Sequence, residues 1–243
     1  MGAPSTRRAR IARHERTTPR TIRPGGPRRR RGEAGEMAVN HCEKIPLGTQ
    51  GATEWEVVHL PSTLGDFQAR AFRSPATGSE HLVLSVGPLQ ERGGLLRVHS
   101  ECLTGDVFQS LRCDCGPQLQ GALDLLKDEG GIVIYMRGHE GRGIGLVEKL
   151  RAYALQEAGV DTIDANLRLG HAEDERDYAD AIDILCLLGV KSVRLITNNP
   201  QKRDALVEGG VEVEALVPLR IAANPHNERY LETKRKRMGH YLE

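Results

Sequence analysis

Three cysteines in one short stretch are the residues of this sequence best suited to chemistry. Cys102 is followed eleven residues later by the C-x-C pair Cys113 and Cys115. Thiolate sulfur is a soft ligand that suits Zn²⁺, and three protein ligands with one open position are the arrangement of a catalytic zinc site. A structural zinc site would need a fourth ligand, which His99 could supply. The spacing therefore predicts a zinc site and leaves both kinds open.

Two turns that lead from a predicted strand into a predicted helix could bind anions. The first is GHEGRGIG, residues 138–145, and the second is TNNPQK, residues 197–202. Free backbone N–H groups at a helix start attract anions, and Arg142 or Lys202 would add a positive charge. The alternatives are an ordinary glycine-rich turn in the first case and helix capping by an asparagine in the second.

A charged segment, HAEDERDY at residues 171–178, precedes another predicted helix. Asp174 could act there as a general base, and Arg176 could stabilise a phosphate. The alternative is a solvated helix start, and the basic run at residues 234–237 is interpreted in that way, as the solvated face of a surface helix. Taken together, a metal site and two anion sites favour metal-assisted hydrolysis of a nucleotide.

The elements that position these residues change character along the chain. From about residue 54 to residue 100, short alternating or apolar segments separated by turns predict an antiparallel, β-rich half. After Cys115, helical periodicity alternates with short apolar strands, which predicts helix-covered strands. The predicted fold class is therefore α/β (α+β mixed), a β-rich N-terminal half packed with a strand–helix alternating half. The predicted later elements are helices near 119–129, 146–158, 178–188, 200–208 and 228–243, and strands at 132–136, 193–197 and 211–219.

The N-terminal residues differ sharply in composition from the rest. Residues 1–36 hold eleven arginines and three acids, a net charge of +8, so the remainder carries −7 within the overall +1. Almost nothing there is apolar, which predicts a disordered tail, and residues 37–55 are predicted to be a weakly structured lead-in. Clustered arginines could bind nucleic acid. The absence of interleaved aromatic residues favours a solvated tail, or upstream sequence before a true start at Met37.

Cysteine usage and hydropathy bear on the compartment. Five cysteines are an odd number, and C-x-C is an awkward spacing for a mutual disulfide, which favours a reducing cytoplasmic environment with metal-binding thiols. No apolar run approaches the ~20 residues of a membrane-spanning helix. We therefore expect a cytoplasmic protein without a membrane partner.

Several motifs together resemble one known family. They are RVHSECLTGDVF, SLRCDCGPQL, RGHEGRGIGL, KLRAYALQEAG, EDERDY, LGVKSVRLITNNPQK and the closing MGH. In this order they resemble GTP cyclohydrolase II, a family of riboflavin biosynthesis, over about residues 56–241. The resemblance implies a single cyclohydrolase II domain at residues 56–243. Residues 1–55 are too few and too polar for the dihydroxybutanone-phosphate synthase domain of fused relatives, so none is expected there.

The resemblance also implies roles for individual residues. Zinc would be held by Cys102, Cys113 and Cys115, with His99 in the substrate-contacting segment and the fourth position open. A proton acceptor, a nucleophile towards the α-phosphate and a tyrosine near the guanine would be Asp174, Arg176 and Tyr153. The GTP contacts would be Arg97, Val98, His99, Ser100, Glu101, Gln118, Glu140, Gly141, Arg142, Thr162, Thr197 and Lys202.

The implied reaction is the hydrolysis of GTP to formate, pyrophosphate and 2,5-diamino-6-ribosylamino-4(3H)-pyrimidinone 5′-phosphate, with Mg²⁺ on the triphosphate and a homodimer as the assembly. A guanidinium is essentially always protonated, which favours charge stabilisation by Arg176 over covalent attack. The alternatives are an enzyme that opens the ring but retains the formyl group, and a zinc-stabilised nucleotide sensor. Gln109 departs from the family, which often has glycine in this loop.

Overall fold

The computed structural model of the chain describes residues 56–239. The predictions for residues 1–36 and 37–55, and for the last four residues of the predicted domain, lie outside this described part. Within it, seven strands form a single mixed sheet. The strands are β1 (Val58–Ser62), β2 (Gly65–Arg73), β3 (Glu80–Val86), β4 (Gly94–Ser100), β5 (Gly131–Met136), β6 (Ser192–Ile196) and β7 (Glu212–Val217).

Helices occupy the connections after β4. They are α1 (Leu103–Asp106), α2 (Cys115–Glu129), α3 (Gly145–Glu157), α4 (Thr162–Arg168), α5 (Ala179–Leu187), α6 (Pro200–Glu208) and α7 (Glu228–Met238). A short 3₁₀ turn at Glu140–Arg142 precedes α3. The predicted mixed α/β class is confirmed, and most predicted elements lie within two or three residues of their expected bounds. Helix α4 was not predicted, because a seven-residue segment is too short for its periodicity to stand out.

The strand order is β1-β2-β3-β5-β4-β6-β7. Strands β1, β2 and β3 pair antiparallel in that succession, as the turn-rich N-terminal segment predicted. Strand β5, predicted to belong to the strand–helix alternating half, also pairs antiparallel with β3. Strand β4 was predicted to belong to the same antiparallel half, and this is wrong: it lies between β5 and β6 and runs parallel to both. The reason is α2, since a helical crossover returns the chain to start the next strand in the same direction.

Apolar side chains cover both faces of the sheet. On one face, α5 and α6 bury residues such as Ile184, Leu185 and Leu206 against the central strands. On the other face, α2 buries Leu123 and Leu126. Each such side chain stabilises the fold by about 1.5–3 kcal/mol through removal from water. The layered packing fixes where the strand ends lie.

The carboxyl ends of the three neighbouring parallel strands β5, β4 and β6 meet at one edge of the sheet. Ser100 at the end of β4 is in register with Met136 at the end of β5. Ligands of open α/β sheets bind at this edge, where the loops after the strands converge. The loops here are the cysteine stretch after β4, the glycine-rich turn after β5 and the asparagine turn after β6. None of the described helices combines the length and apolar character that crossing a bilayer requires.

Candidate active site

A single pocket at this sheet edge collects almost all of the predicted site residues. The pocket-lining set includes every predicted residue except Val98 and Asp174. The predicted residues that line it are Arg97, His99, Ser100, Glu101, Cys102, Cys113, Cys115, Gln118, Glu140, Gly141, Arg142, Tyr153, Thr162, Arg176, Thr197 and Lys202. The fold thus brings together motifs that lie up to 105 residues apart in sequence, from Arg97 to Lys202.

Val98 contributes to the site only through its backbone. Its side chain is fully buried in the hydrophobic core, because successive side chains of a strand point to opposite faces. Its carbonyl oxygen accepts a hydrogen bond from the Lys202 Nζ, 2.5 Å away. Val98 therefore holds Lys202 in place but does not line the pocket.

The three cysteines form a compact cluster directly after β4. Their sulfur atoms all lie within 4.8 Å of one another, and those of Cys102 and Cys113 are 3.8 Å apart. A β-carbon on Gly105 would stand 2.8 Å from the Cys113 sulfur, so the helix α1 can approach the sulfurs only with glycine at this position. The cluster could hold a metal ion.

Asp106 shapes the loop that carries Cys102. Its carboxylate accepts hydrogen bonds from the Cys102 backbone N–H (3.0 Å) and the Tyr135 hydroxyl (2.7 Å). The same carboxylate lies 3.1 Å from His99 Nε2. His99 is buried with that nitrogen engaged, and within the described residues it stands outside the cysteine cluster. The geometry therefore groups three cysteines without the histidine.

A buried lysine that the sequence did not single out contacts the cluster. Lys149 of α3 lies with its Nζ 3.2 Å from the Cys102 sulfur and pairs with the Glu140 carboxylate. Hydrogen bonds from Cys113 and Cys115 lower the pKa of the Cys102 thiol, and the Lys149 ammonium adds to this effect. Lys149 thus stabilises negative charge on the Cys102 sulfur.

Arg97 and Lys202 are buried cations that line the same pocket, and the partly buried Arg176 lines it with them. Burial lowers the pKa of Lys202 well below its usual range, and the nearby Arg97 and Arg176 lower it further. Among the described residues, Lys202 hydrogen-bonds to a carbonyl and has no ion pair with a carboxylate. Concentrated, under-compensated positive charge of this kind attracts a polyanion.

Arg176 and Asp174 form a bidentate pair in the loop before α5. The Arg176 Nε lies 2.8 Å from one Asp174 oxygen, and its Nη2 donates to the other. Burial works against charge on Arg176, but the hydrogen bond to Asp174 outweighs it and the pKa of Arg176 is raised. Burial raises and Arg176 lowers the pKa of Asp174, with a net lowering. The guanidinium therefore stays protonated and the carboxylate ionised.

The glycine-rich turn after β5 holds Arg142 in an uncommon backbone conformation, with φ of 70°. Strained backbone of this kind concentrates at ligand sites. The Nη2 atom of Arg142 and the Nε atom of Arg97 are buried and have no hydrogen-bond partner among the described residues. Both residues line the pocket. Unpaired buried donors are costly, so a bound acceptor would satisfy them.

The turn after β6 serves two purposes. Asn199 caps α6 by accepting a hydrogen bond from the Gln201 backbone N–H at 3.0 Å, and Pro200 occupies the first turn. The capping alternative from the sequence is therefore confirmed. Thr197 and Lys202 nevertheless line the pocket, so capping and a place at the site coexist.

The C-terminal basic run does not behave as predicted. The helix α7 exists, but Lys234 is buried, and its Nζ lies 2.6 Å from the Asp114 Oδ1. Asp114 is the middle residue of the C-x-C motif. Lys234 also lines the pocket, so its interpretation as part of a solvated face is wrong. The Asp114 carboxylate in turn accepts from the Gln118 amide, whose oxygen accepts from Arg97 at 2.6 Å. A chain of hydrogen bonds thus links α7 to β4.

Tyr153 stands between charged groups on the wall formed by α3. The Arg112 guanidinium lies 4.3 Å from its ring centroid and the Lys149 ammonium 5.7 Å. Arg112 was not predicted, and no signal in its sequence neighbourhood distinguished it. Lys149 could have been found, because it lies four residues before Tyr153 and so shares its helix face.

Gln109 adopts a left-handed conformation with φ of 51° in the loop between the cysteines. This region of backbone space favours glycine. The loop therefore keeps a geometry suited to the glycine that the resemblance implied, with a strained glutamine in its place.

Comparison with known proteins identifies the family. The family model described as GTP cyclohydrolase II matches residues 53–218. The chain belongs to the GTP cyclohydrolase II family. The resemblance drawn from the sequence motifs is thereby confirmed, and every predicted site residue falls within the matched segment. Helix α7, with Lys234, lies beyond it.

Curated relatives of this family are long proteins. "Riboflavin biosynthesis protein RibBA" of Salinispora tropica is 55% identical over 185 residues, covering 75% of this chain and 46% of the relative. The protein of the same name from Mycobacteroides abscessus is 55% identical over 189 residues, covering 75% and 45%. That from Cytophaga hutchinsonii is 52% identical over 187 residues, covering 76% and 46%. The chain therefore spans about half the length of the curated relatives it matches.

Proposed function

We propose that this protein hydrolyses GTP to formate, pyrophosphate and 2,5-diamino-6-ribosylamino-4(3H)-pyrimidinone 5′-phosphate, the reaction that opens riboflavin biosynthesis. Membership of the GTP cyclohydrolase II family supports the proposal. The observation that carries it is the meeting, in one pocket, of a three-thiol cluster with buried cations that lack enough counter-charge.

Zinc is the metal that we assign to the cysteine cluster. Tetrahedral coordination with Zn–S bonds of ~2.3 Å separates two sulfurs by ~3.8 Å, which matches the spacing of Cys102 and Cys113. Three soft thiolates without a fourth protein ligand are also the donor set of a catalytic site. Held by Cys102, Cys113 and Cys115, zinc would supply Lewis-acid activation of water for attack on the imidazole ring of the base.

The residues around the cluster would bind and orient the nucleotide. Lys202 in the first turn of α6, with Thr197 directly after β6, would receive the triphosphate together with Mg²⁺. Arg97 and Arg142 would donate their unpaired buried N–H groups to its oxygens. Each charge-assisted hydrogen bond of this kind contributes about 1.5–3 kcal/mol. These contacts would hold the base at the end of the pocket that carries the thiols.

Arg176 would act through its charge on the α-phosphate. Its guanidinium is held protonated and oriented by Asp174, and a protonated guanidinium is a poor nucleophile. We therefore assign Arg176 the stabilisation of developing charge in the transition state. Asp174 would orient the guanidinium. As the family resemblance implies, Tyr153 would lie near the guanine, and the remaining predicted residues would contact GTP.

Three further assignments follow from the family and the sequence. The catalytic domain would span residues 56–243, after the tail and lead-in. The active form would be a homodimer; large apolar side chains that are exposed near the site, such as Phe108 (72% exposed) and Val147 (66% exposed), fit an interface. A reducing cytoplasm would keep the three thiols available for metal.

The decisive experiment measures formate and pyrophosphate released from GTP and Mg²⁺, with and without a zinc chelator. Release of both, abolished by the chelator and restored by added zinc, is the expected result. Ring opening and pyrophosphate release without formate would instead identify an enzyme that retains the formyl group. Tight GTP binding with neither product would identify a nucleotide sensor and refute the proposed activity.

A further inference from the structure

Lys149 stands where the metal-binding, substrate-binding and catalytic groups of the site meet. The residue is 7% exposed. Its Nζ lies 3.2 Å from the Cys102 sulfur and 2.9 Å from the Thr104 hydroxyl, and it pairs with Glu140 Oε1. Its ammonium also lies 5.7 Å from the centre of the Tyr153 ring. One buried cation therefore contacts each part of the site.

The carboxylate that shares Lys149 reaches the same loop from the other side. Glu140 Oε2 accepts a hydrogen bond from the Leu103 backbone N–H at 2.6 Å, directly after Cys102. Lys149 and Glu140 together thus tie the glycine-rich turn after β5 to the loop that presents the Cys102 sulfur. Burying an ammonium is expensive unless several acceptors surround it, and here a carboxylate, a hydroxyl and a sulfur do so.

We propose that Lys149 is a positioning residue of this site, which orients the Cys102 sulfur and weakens its electron donation to the bound metal. This inference rests on the proposed zinc-dependent function. A donated N–H hydrogen bond draws electron density from a thiolate, so the metal receives less of it and remains a stronger Lewis acid. A hydrogen-bond donor to a metal ligand can therefore change the Lewis acidity of the metal as well as orient the ligand.

A purely structural ion pair between Lys149 and Glu140 makes a different prediction. In that case, loss of Lys149 would loosen the fold but would leave the electronic character of the sulfur unchanged. The charge-transfer band from thiolate to Co²⁺ separates the two possibilities, because its energy reports how strongly the sulfur is held by its hydrogen-bond donors.

The test uses the full-length protein loaded with Co²⁺ in place of zinc. Lys149→Met removes the donor, Lys149→Arg keeps a charged donor, and Arg151→Met on the same helix serves as control, because Arg151 is exposed and pairs with Glu148. We expect Lys149→Met to move the charge-transfer band to longer wavelength and Lys149→Arg to restore most of its position. Arg151→Met should leave it unchanged. With zinc, Lys149→Met should lower kcat/KM for GTP about 10- to 100-fold.

A band at the wild-type wavelength in a cobalt-loaded Lys149→Met protein would overturn the proposal. If that variant fails to hold cobalt, Lys149→Gln replaces it: its amide is a weaker, uncharged donor, so its band should also lie at a longer wavelength than that of the wild type, and an unshifted band would overturn the proposal. Loss of cobalt binding by Lys149→Arg as well would show that the site needs the shape of lysine and not its charge, which also overturns the proposal. The band is measured without GTP, so it remains readable even if the proposed hydrolysis is refuted.

Discussion

Replacement of Lys202 by methionine should stabilise the free protein and weaken its binding of GTP. The lysine is 4% exposed and lies near Arg97 and Arg176. Burial and these two cations lower its pKa, so the charged form is disfavoured in the fold at every pH below the unfolded value of about 10.4. At neutral pH the ammonium therefore subtracts from stability, and an apolar side chain of similar length removes this cost.

The magnitude follows from two opposing terms. A buried ion without an ionic partner costs several kcal/mol, whereas loss of the hydrogen bond to the Val98 carbonyl leaves an acceptor unpaired at about 1–3 kcal/mol. A net gain of about 2 kcal/mol remains, which raises Tm by roughly 4–8 °C in a chain of this size. Loss of one charged contact to the triphosphate removes about 1.5–3 kcal/mol of binding, a factor of roughly 10–150 in Kd.

The assay pairs thermal unfolding of the free protein with calorimetric titration of a non-hydrolysable GTP analogue and Mg²⁺. Lys191→Met is the matched control, because Lys191 directly precedes β6, the strand that leads to Lys202, but is exposed and paired with Glu91. This control should change neither Tm nor Kd appreciably. A lower Tm for Lys202→Met would refute the argument from buried charge. An unchanged Kd would refute the assignment of Lys202 to the triphosphate.

Three further changes test other parts of the site. Cys113→Ser should lose zinc and formate release together, because a hydroxyl is a poor zinc ligand; full zinc content by mass spectrometry would contradict the ligand set. Gln109→Gly should raise Tm by about 1–2 °C because it relieves the left-handed strain, whereas Gln109→Ala should not, and equal shifts would dismiss strain as the cause. His139 is a buried residue of the glycine-rich turn after β5 and lines the pocket. Burial and Arg176 lower its pKa to about 4, so its protonation should cost about 3 kcal/mol of stability as the pH falls from 6.5 to 4. His139→Gln should therefore weaken the dependence of the unfolding free energy on pH between pH 6.5 and 4, as measured by denaturant titration at each pH. The same pH dependence in the variant and the wild type would disprove this.

The element pattern of this chain could be predicted because it depends on local information. Period-two segments became β1 to β3, and the helix-forming stretch that ends at Gly130 became α2, whose first residue is Cys115 itself. Pro200 and the asparagine cap marked the start of α6 correctly. The pairing of β4 could not be predicted in this way, because a strand's direction relative to its neighbours depends on the crossover and not on its own side-chain alternation.

The exposed or buried state of charged residues was the least predictable feature. Lys234 lies in a basic run that is typical of a solvated helix face, yet it is buried against Asp114, 120 residues earlier in the chain. Lys149 lies in an ordinary amphipathic helix, yet it contacts a sulfur 47 residues away. Neither partner is visible in the local sequence, since burial and pairing are decided by which distant segments the sheet brings together.

By itself, the sequence determined the chemistry that is available: three soft thiols at a spacing suited to one metal, arginine and lysine beside two helix starts, and the motifs of the family. These are properties of residue types over short spans. The tertiary structure alone decided that the three carboxyl strand ends share one pocket, that His99 is engaged by Asp106 outside the cysteine cluster, and that Lys149 meets Cys102. The physical reason is that burial, hydrogen bonding and charge compensation arise only when packing removes water and brings distant groups into contact.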